Sequence, residues 1–465
     1  MSERLLSVGL DVGTTSTQMI LSELLVENRA GSFSVPEMEI AQRNILYKGA
    51  VHFTPLLHGE LVDTAALRQI VEGEYAAAGV RREDVDTGAI IITGETSRKE
   101  NARAVLQELS GFAGDFVVAT AGPHLESVLA AKGAGAVELS RRTGKNVLHM
   151  DIGGGTSNLA WIRDGKIVQT GCLNVGGRLL KLDDSGKITY VSPVLLGICE
   201  LKIGDIPTKA QLRSVADTLV SALEMAAGRR ESTQLLHELT TKESVIASQS
   251  AGWHCNPVDA QEWLISFSGG VADCIDTRHN TLAFGDIGPV LGQAIRESRL
   301  CGREYVLGSE TIRATVIGAG CHSAQLSGST VFCRNVTLPL KNLQTLPVPE
   351  ELQESAALSG WIRSALSRQD GRTVLAIKGF PSPSYPQVTA LAQAIAAAVS
   401  AGEILLCVEQ DMAKALGQAL AARLGGDRAI LCIDRVRLSE ESYLDVGAPV
   451  GPALPVVVKT LVLNG

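Results

Sequence analysis

Two short stretches of the chain place an acid, glycines and hydroxyls between apolar runs: Asp11-Val12-Gly13-Thr14-Thr15-Ser16-Thr17 and Asp151-Ile152-Gly153-Gly154-Gly155-Thr156-Ser157-Asn158. A triphosphate held between two β-turns needs close backbone approach, which glycine permits freely, and amide groups that converge on its oxygens. Gly13, Gly153, Gly154 and Gly155 meet the first need, and Thr14, Thr15 and Thr156 add hydroxyl donors. The same chemistry needs carboxylates that hold a hydrated Mg²⁺ rather than touch phosphate, and Asp11 and Asp151 open the two stretches at matching positions. Taken alone, Asp11 to Thr15 also reads as an ordinary Asp-Gly hairpin turn. Three successive glycines between apolar runs give up backbone entropy with no packing gain, which favours a close ligand at Gly153 to Gly155.

Other chemistries are disfavoured by what the chain lacks. No GxxxxGK[ST] occurs, since Gly144-Lys145, Gly165-Lys166 and Gly186-Lys187 lack both the earlier Gly and the following Ser or Thr, and no GxGxxG follows a strand and opens a helix. P-loop chemistry and hydride transfer are therefore not expected. A formal charge of −8 and a pI near 5.6 give no basic excess for nucleic acid or an anionic membrane. The nine cysteines form no CxxC pair and read as reduced, buried small side chains in a cytosolic protein. The eight histidines form no paired-ligand pattern, and His124 reads as a packed or capping residue. The N-terminal apolar stretch is cut by Asp11 and is too short for a signal segment, and Thr389 to Val408 reads as a helix turning into a strand rather than as a membrane span.

The two glycine-rich stretches need strands to carry them. Leu5 to Leu10 and Gln18 to Leu21 flank the first, and Val147 to Met150 and Leu159 to Ile162 flank the second, so a strand, turn, strand unit recurs about 140 residues on. The repeat predicts two related halves facing one another across a cleft that suits a ligand. Between the hairpins, helical spacing covers Asp63 to Ala78, a β-branched run covers Ala89 to Thr93, and Asn101 to Leu109 reads as a helix. Phe116 to Ala119 reads as a strand and Pro123 to Lys132 as a helix with Pro in its first turn. Further on, Pro207 to Glu243 reads as helices, Leu264 to Phe267 as a strand before Ser268-Gly269-Gly270, and Thr315 to Leu326 as a strand end entering a small-residue helix.

Pro339, Pro347 and Pro349 with low periodicity predict a linker from about Asn335 to Glu350. Beyond it Val374 to Lys378, Ile404 to Val408 and Ile430 to Ile433 are strand-like runs separated by helical stretches, a small α/β unit. The expected organisation is 1–140 as one half, 141–335 as the second, and 336–465 as linker and C-terminal domain.

In this order the motifs resemble the actin, sugar kinase and DnaK-type chaperone superfamily. Asp11 to Thr17 is similar to its first phosphate loop, Ala121 to Gly135 to its first connecting helix, and Asp151 to Asn158 to its second phosphate loop. Ser266 to Ala272 is similar to its adenosine motif and Gly318 to Ala324 to its second connecting helix. The resemblance implies a duplicated actin-like, ribonuclease H-like α/β fold. It gives Gly269 and Gly270 the role of letting base and ribose lie against the backbone. Gly133, Gly135, Gly318 and Gly320 fall where the connecting helices cross and allow hinge motion, or are plain helix ends; Gly318 also counts among the expected nucleotide-binding residues.

Three longer stretches, Ala89-Ile90-Ile91-Ile92-Thr93-Gly94-Glu95-Thr96, Ala121-Gly122-Pro123-His124-Leu125-Glu126-Ser127 and Leu173-Asn174-Val175-Gly176-Gly177-Arg178, resemble the ethanolamine ammonia-lyase reactivating factor family, and the likeness spans the whole chain. It implies ATP-dependent release of damaged cobalamin from the inactivated lyase, so that intact adenosylcobalamin can bind, with nucleotide state setting the closure of the two halves. The cofactors implied are ATP and Mg²⁺, with ADP as product, and adenosylcobalamin only as the cofactor of the partner lyase; no cobalamin-ligating DxHxxG is present. The place implied is the cytoplasm, in association with the ethanolamine bacterial microcompartment. With Asp11 and Asp151, Glu126 is the catalytic candidate, as general base or water-positioning group; it reads equally as a solvated helix carboxylate. In DnaK-type relatives a Glu directly precedes the Pro of this helix, whereas here Gly122 does, so the role is moved or weakened. Thr93, Glu95 and Thr96 resemble a metal-holding strand end in related diolase reactivases, or are a Thr-capped turn.

Slow ATP hydrolysis with no small-molecule acceptor is expected. The alternatives are a small-molecule kinase of the same fold, for which no substrate carboxylate stands out in the first half, and a scaffold or filament protein switched by ATP. Oligomeric state is left open, and the tail is the expected contact for the lyase because the nucleotide motifs do not need it.

Overall fold

The computed structural model describes residues 3–13, 16–28, 38–57, 61–93, 117–120, 123–242, 263–322, 324–327, 330–369, 371–436, 442–449 and 453–460. Two of its sheets share one strand order. In the first, Met38–Lys48, Ser16–Asn28, Glu3–Val12, Thr87–Ile92 and Val117–Thr120 lie side by side. In the second, Lys166–Leu173, Ser157–Arg163, Val147–Ile152, Leu264–Ser268 and Tyr305–Leu307 do so. In each sheet the first three strands are antiparallel neighbours, and the remaining two continue in parallel from the central strand. Central strands covered on both faces are buried along their whole length rather than at alternate positions, as Val147–Ile152 is at all six residues, His149 and Asp151 included.

The helix that follows the first sheet, Pro123–Gly133, packs on the second. Ser127 Oγ donates to the Gly171 carbonyl at 3.3 Å, and Ala131 joins Val147 and Ala160 in one apolar cluster. The helix that follows the second sheet, Ala314–His322, packs on the first: Ser7 Oγ donates to the Gly320 carbonyl at 2.6 Å, and Val316 and Ile317 pack with Ile20. The two helices cross between the sheets with almost no space between their backbones. A Cβ on Gly318 would lie 2.1 Å from the Leu129 carbonyl oxygen, and one on Gly133 would lie 1.8 Å from that of Ala314. Small residues at the crossing are therefore a steric requirement. The segment read as a strand end entering a helix is helical from Ala314, and a short strand, Ala324–Leu326, follows it.

Local signals mark the other helices. Asp63 caps Thr64–Ala78 by accepting from the Ala66 amide at 3.1 Å, and Gly79 ends it in the left-handed conformation at φ 68°. Thr208 and Gln211 form a capping box at the start of Lys209–Ala226. The helix expected at Asn101 to Leu109 lies outside the described residues.

A third sheet has eight strands, in the order Ala324–Leu326, Pro455–Thr460, Ser442–Val446, Leu340–Pro347, Thr373–Ile377, Ile404–Val408, Ile430–Asp434, Phe332–Arg334. Helices Leu358–Leu366, Tyr385–Ala398 and Ala413–Leu424 supply the apolar faces that pack with it. The expected linker at 335–350 is corrected here: Leu340–Pro347 is a strand inside this sheet, pairing with Ser442–Val446 and Thr373–Ile377. The prolines misled because they flank the strand rather than interrupt it: Pro339 precedes it, Pro347 is its last residue and Pro349 follows. Both edge strands of the sheet come from before residue 335, so its chain begins earlier than the prolines suggested.

The crossing gives a stability test with an internal control. Gly318→Val and Gly133→Val should each lower the unfolding free energy by about 1–3 kcal/mol or more through overpacking. Gly360→Ala, in helix Leu358–Leu366 with nothing within 4 Å of the added carbon, should raise it by roughly 0.5–1 kcal/mol. Urea unfolding of the three variants checks the order; valines tolerated at the crossing would contradict the packing described.

Candidate functional site

The two glycine-rich hairpins are closed by the same bond. The Gly13 amide donates to the Ser16 carbonyl at 2.9 Å, and the Gly153 amide donates to the Thr156 carbonyl at 2.9 Å. They face a common cavity of about 280 Å³ between the sheets, lined from the first half by Asp11, Gly13 and Gln18 and from the second by Asp151, Gly153 to Thr156, Asn158, Gly269 and Gly270. Glu126, in the first turn of helix Pro123–Gly133, also lines it. A Cβ on Gly155 would meet nothing within 4 Å, and one on Gly153 would meet only the Thr156 carbonyl at 3.5 Å, so side chains at these glycines would fill cavity space. Thr14 and Thr15 lie outside the described residues, as do Glu95 and Thr96.

Gly269 and Gly270 differ in what they do. Gly269 has φ 85° and leaves no room for a Cβ, which would lie 2.3 Å from the Ile152 carbonyl oxygen; its amide donates to the Thr311 carbonyl at 3.0 Å. A Cβ on Gly270 would instead lie 3.8 Å from the Ile312 side chain, an ordinary apolar contact, and both residues line the cavity. Gly318, expected among the nucleotide-binding residues, is corrected: it sits against the Leu129 backbone in the helix crossing and is not among the residues that line the cavity. Its small size serves helix packing, which a motif match by itself does not separate from ligand contact.

Each aspartate is held by a hydroxyl at the end of the parallel neighbour strand. Thr93 Oγ1 donates to Asp11 Oδ1 at 2.9 Å, and Ser268 Oγ donates to Asp151 Oδ1. Ser268 is itself oriented by His149, whose Nε2 is 2.9 Å from it while Nδ1 is 3.2 Å from Ser266 Oγ. Complete burial pushes the imidazole down to about 3, so it is neutral. Because Ser268 spends its proton on Asp151, it must accept from Nε2–H, and Nδ1 then accepts from Ser266.

Burial also pushes the Asp11 carboxyl up to about 7; the Thr93 bond opposes the shift and the Asp151 charge adds to it. Burial pushes Asp151 up to about 6 against the hydrogen bonds of Ser268 and Thr315. Two buried carboxyls that repel one another call for a cation. Hydrated Mg²⁺ fits, since it takes one or two carboxylates and keeps several waters. The surroundings fit as well. Gln18 stands opposite Asp11 in strand register and Asn158 opposite Asp151, and Gln18 Oε1 and Asn158 Oδ1 are both buried acceptors without a partner among the described residues. Water held on a cation would supply the missing donors. No group of three or more His, Cys, Asp or Glu is placed for a metal among the described residues, so direct ligation by a larger protein set is not what this site offers.

The chain matches the family described as ethanolamine utilisation protein EutA over residues 3–464. It belongs to the EutA family. It is 38% identical over 472 residues to a Salmonella typhimurium protein named ethanolamine ammonia-lyase reactivase EutA, covering 99% of each chain. It is 38% identical over 474 residues to a protein of the same name from Escherichia coli K12, again covering 99% of each. Among solved structures it is similar to ethanolamine utilization protein EutJ from Carboxydothermus hydrogenoformans, at 18% identity and TM-score 0.31 over 68% of this chain and 88% of that one. It is also similar to an Aquifex aeolicus Ppx/GppA phosphatase, at 12% identity and TM-score 0.38 over 68% and 99%.

Gln18, Arg178 and Asp286 line the cavity without having been assigned to it from sequence, and His149 stands behind Asp151 through Ser268. Arg178 follows Gly176-Gly177, and a Cβ on Gly176 would lie 2.3 Å from the Gly154 carbonyl oxygen, so Gly176 lies directly on the second glycine-rich hairpin. His124 is exposed, with Nδ1 2.7 Å from Thr170 Oγ1. Among the described residues, no helix is long and apolar enough to cross a membrane.

The raised carboxyls set a pH dependence. Asp11 and Asp151 bind protons more tightly folded than unfolded, so their penalty on the ligand-free fold is absent below about pH 4 and grows as pH rises through about 6 and 7. Asp11→Asn removes most of it. In chelator, the melting temperature of the Asn variant should exceed that of the parent by a few degrees at pH 8 and by much less at pH 5. A difference that does not change with pH would contradict the burial of the pair.

Proposed function

We propose that this chain is an ATP-dependent reactivase of ethanolamine ammonia-lyase, and that it releases damaged cobalamin from the inactivated enzyme so that intact adenosylcobalamin can enter. The reading is carried by end-to-end identity with relatives named for that activity, joined to two matched acidic, glycine-lined hairpins on one cavity. In this reading Mg·ATP lies between the hairpins with its base near Gly269 and Gly270. Asp11 and Asp151 hold Mg²⁺ through water, and ADP is the product. Residues 1–140 and 141–335 form the halves that close on nucleotide, with the strands from 324 onward given over to the third sheet. Closure about the helix crossing changes affinity for the lyase, and hydrolysis resets it. In the same reading Glu126, which lines the cavity, orients the attacking water. The site of action is the ethanolamine microcompartment, where the lyase would be met.

The test is recovery of activity. Lyase blocked with hydroxocobalamin is incubated with the chain, ATP, Mg²⁺ and adenosylcobalamin. Turnover should return with all four present and should fail without ATP. It should fall at least about 100-fold in rate with Asp11→Asn or Asp151→Asn, which remove cation-holding charge. A chain that restores nothing under these conditions is not a reactivase of this enzyme.

A further inference from the structure

The cavity that would take a polyanion is itself acidic. Asp11, Glu126, Asp151, Asp273 and Asp286 line it, and among the described residues the only Lys, Arg or His on its wall is Arg178. A nucleoside triphosphate carrying one divalent cation still has net negative charge, and more develops on the terminal phosphoryl group during transfer. A single positive side chain in that position decides where the charge can be met.

Arg178 is held at the phosphate end. Gly177 donates to the Gly153 carbonyl at 3.0 Å and the Arg178 amide donates to the Gly154 carbonyl at 2.6 Å, so its backbone lies along the second hairpin. From the other half, Phe53 pairs in strand register with Ser16 at the edge of the first hairpin, and neighbouring Thr54 donates to the Gly13 carbonyl at 2.7 Å. The Arg178 guanidinium carbon stands 5.5 Å from the Phe53 ring centroid. It therefore bridges the mouth between the two hairpins. Phe53 is 77% exposed, and this cation–π contact gives a purpose to an aromatic ring otherwise left in water.

The guanidinium is oriented but not used up. Its Nε donates to Asp286 Oδ2 at 3.2 Å, and Asp286 is fixed in turn by the Gly288 amide at 2.8 Å. The two terminal nitrogens donate to no described residue. An arginine clamped at Nε by a buried carboxylate and stacked on one face presents its outer fork to whatever enters the cleft, the geometry that suits two phosphate oxygens.

We propose that Arg178 is a catalytic residue that contacts the terminal phosphate of bound ATP and stabilises its charge during hydrolysis. This rests on the nucleotide reading of the cavity. In the step, the oxygen of water bonds to the γ-phosphorus, and the bond from that phosphorus to the bridging oxygen breaks. ADP leaves with the bridging oxygen, and the proton of the water passes to the released phosphate. Arg178 transfers no proton. Since ADP lacks the group it contacts, the residue also separates the triphosphate from the diphosphate state, and its reach across to Phe53 links that distinction to the approach of the two halves.

The test compares the full chain with Arg178→Gln and Arg178→Lys. Calorimetric titrations use Mg·ADP and the β,γ-imido analogue of Mg·ATP, and single-turnover hydrolysis is measured beside them. Arg178→Gln should leave ADP affinity within about threefold, weaken the analogue about 10- to 100-fold and slow hydrolysis by about 10³-fold, the scale of an arginine acting on a transferred phosphoryl group. Arg178→Lys, which keeps charge but loses the fork, should recover part of the rate and decides the matter alone if the Gln variant does not fold. Equal weakening of ADP and analogue, or hydrolysis within threefold of the parent in the folded variants, would overturn the proposal by assigning Arg178 a packing role. A parent chain that binds neither nucleotide would overturn the nucleotide reading itself.

Discussion

Two carboxyl groups facing one cavity, Asp151 buried and Asp11 partly so, are costly to charge together without a counter-charge, and the chain builds much of its centre around that conflict. Asp11 and Asp151 end the central strands of two sheets with the same order. Each receives a hydroxyl bond from the neighbouring parallel strand, and each faces an amide side chain in register. Behind Asp151, a neutral buried histidine fixes the serine that donates to it. Such an arrangement costs stability when both carboxyls are charged, and a bound cation would offset that cost and link occupancy to folding.

The halves are also tied at one short segment. Glu310 pairs with Lys48, the Ile312 carbonyl accepts from Gln18 Nε2 at 3.2 Å, and Arg313 donates to the Gly49 carbonyl at 3.1 Å, all partners in the first half. In the second half the Thr311 carbonyl accepts from Gly269, and the Thr311 hydroxyl donates to Asp273 on the cavity wall. The segment runs directly into helix Ala314–His322, whose Gly318 packs against Leu129 at the helix crossing. One stretch of backbone thus joins both halves, the cavity wall and the helix crossing. A ligand that pulls on either hairpin has a mechanical path to the crossing, provided it prefers one closure over the other.

The hairpins were legible in sequence because glycine runs and paired acids between apolar strands have few other uses, and the repeat announced two related halves. What stayed hidden was set by pairing across long separations. His149 reads as one more residue of an apolar strand until Ser266 and Ser268 are brought beside it. Arg178 becomes informative only when Phe53 and Asp286, more than 100 residues away on either side, close around it. Pro339 and Pro347 read as a linker because single-sequence periodicity does not reveal that they bracket a strand. Gly318 was credited to the nucleotide when its constraint is steric, against Leu129.

The central claim is that a magnesium nucleotide occupies the cavity between Asp11 and Asp151. Calorimetric titration of the chain with ADP in the presence and absence of Mg²⁺, near pH 6.5 and in buffers of different ionisation enthalpy, tests it most directly. One nucleotide per chain, bound in a magnesium-dependent way with net release of protons to the buffer, is the result the account requires. Absence of binding, or binding indifferent to magnesium and without proton release, would contradict it.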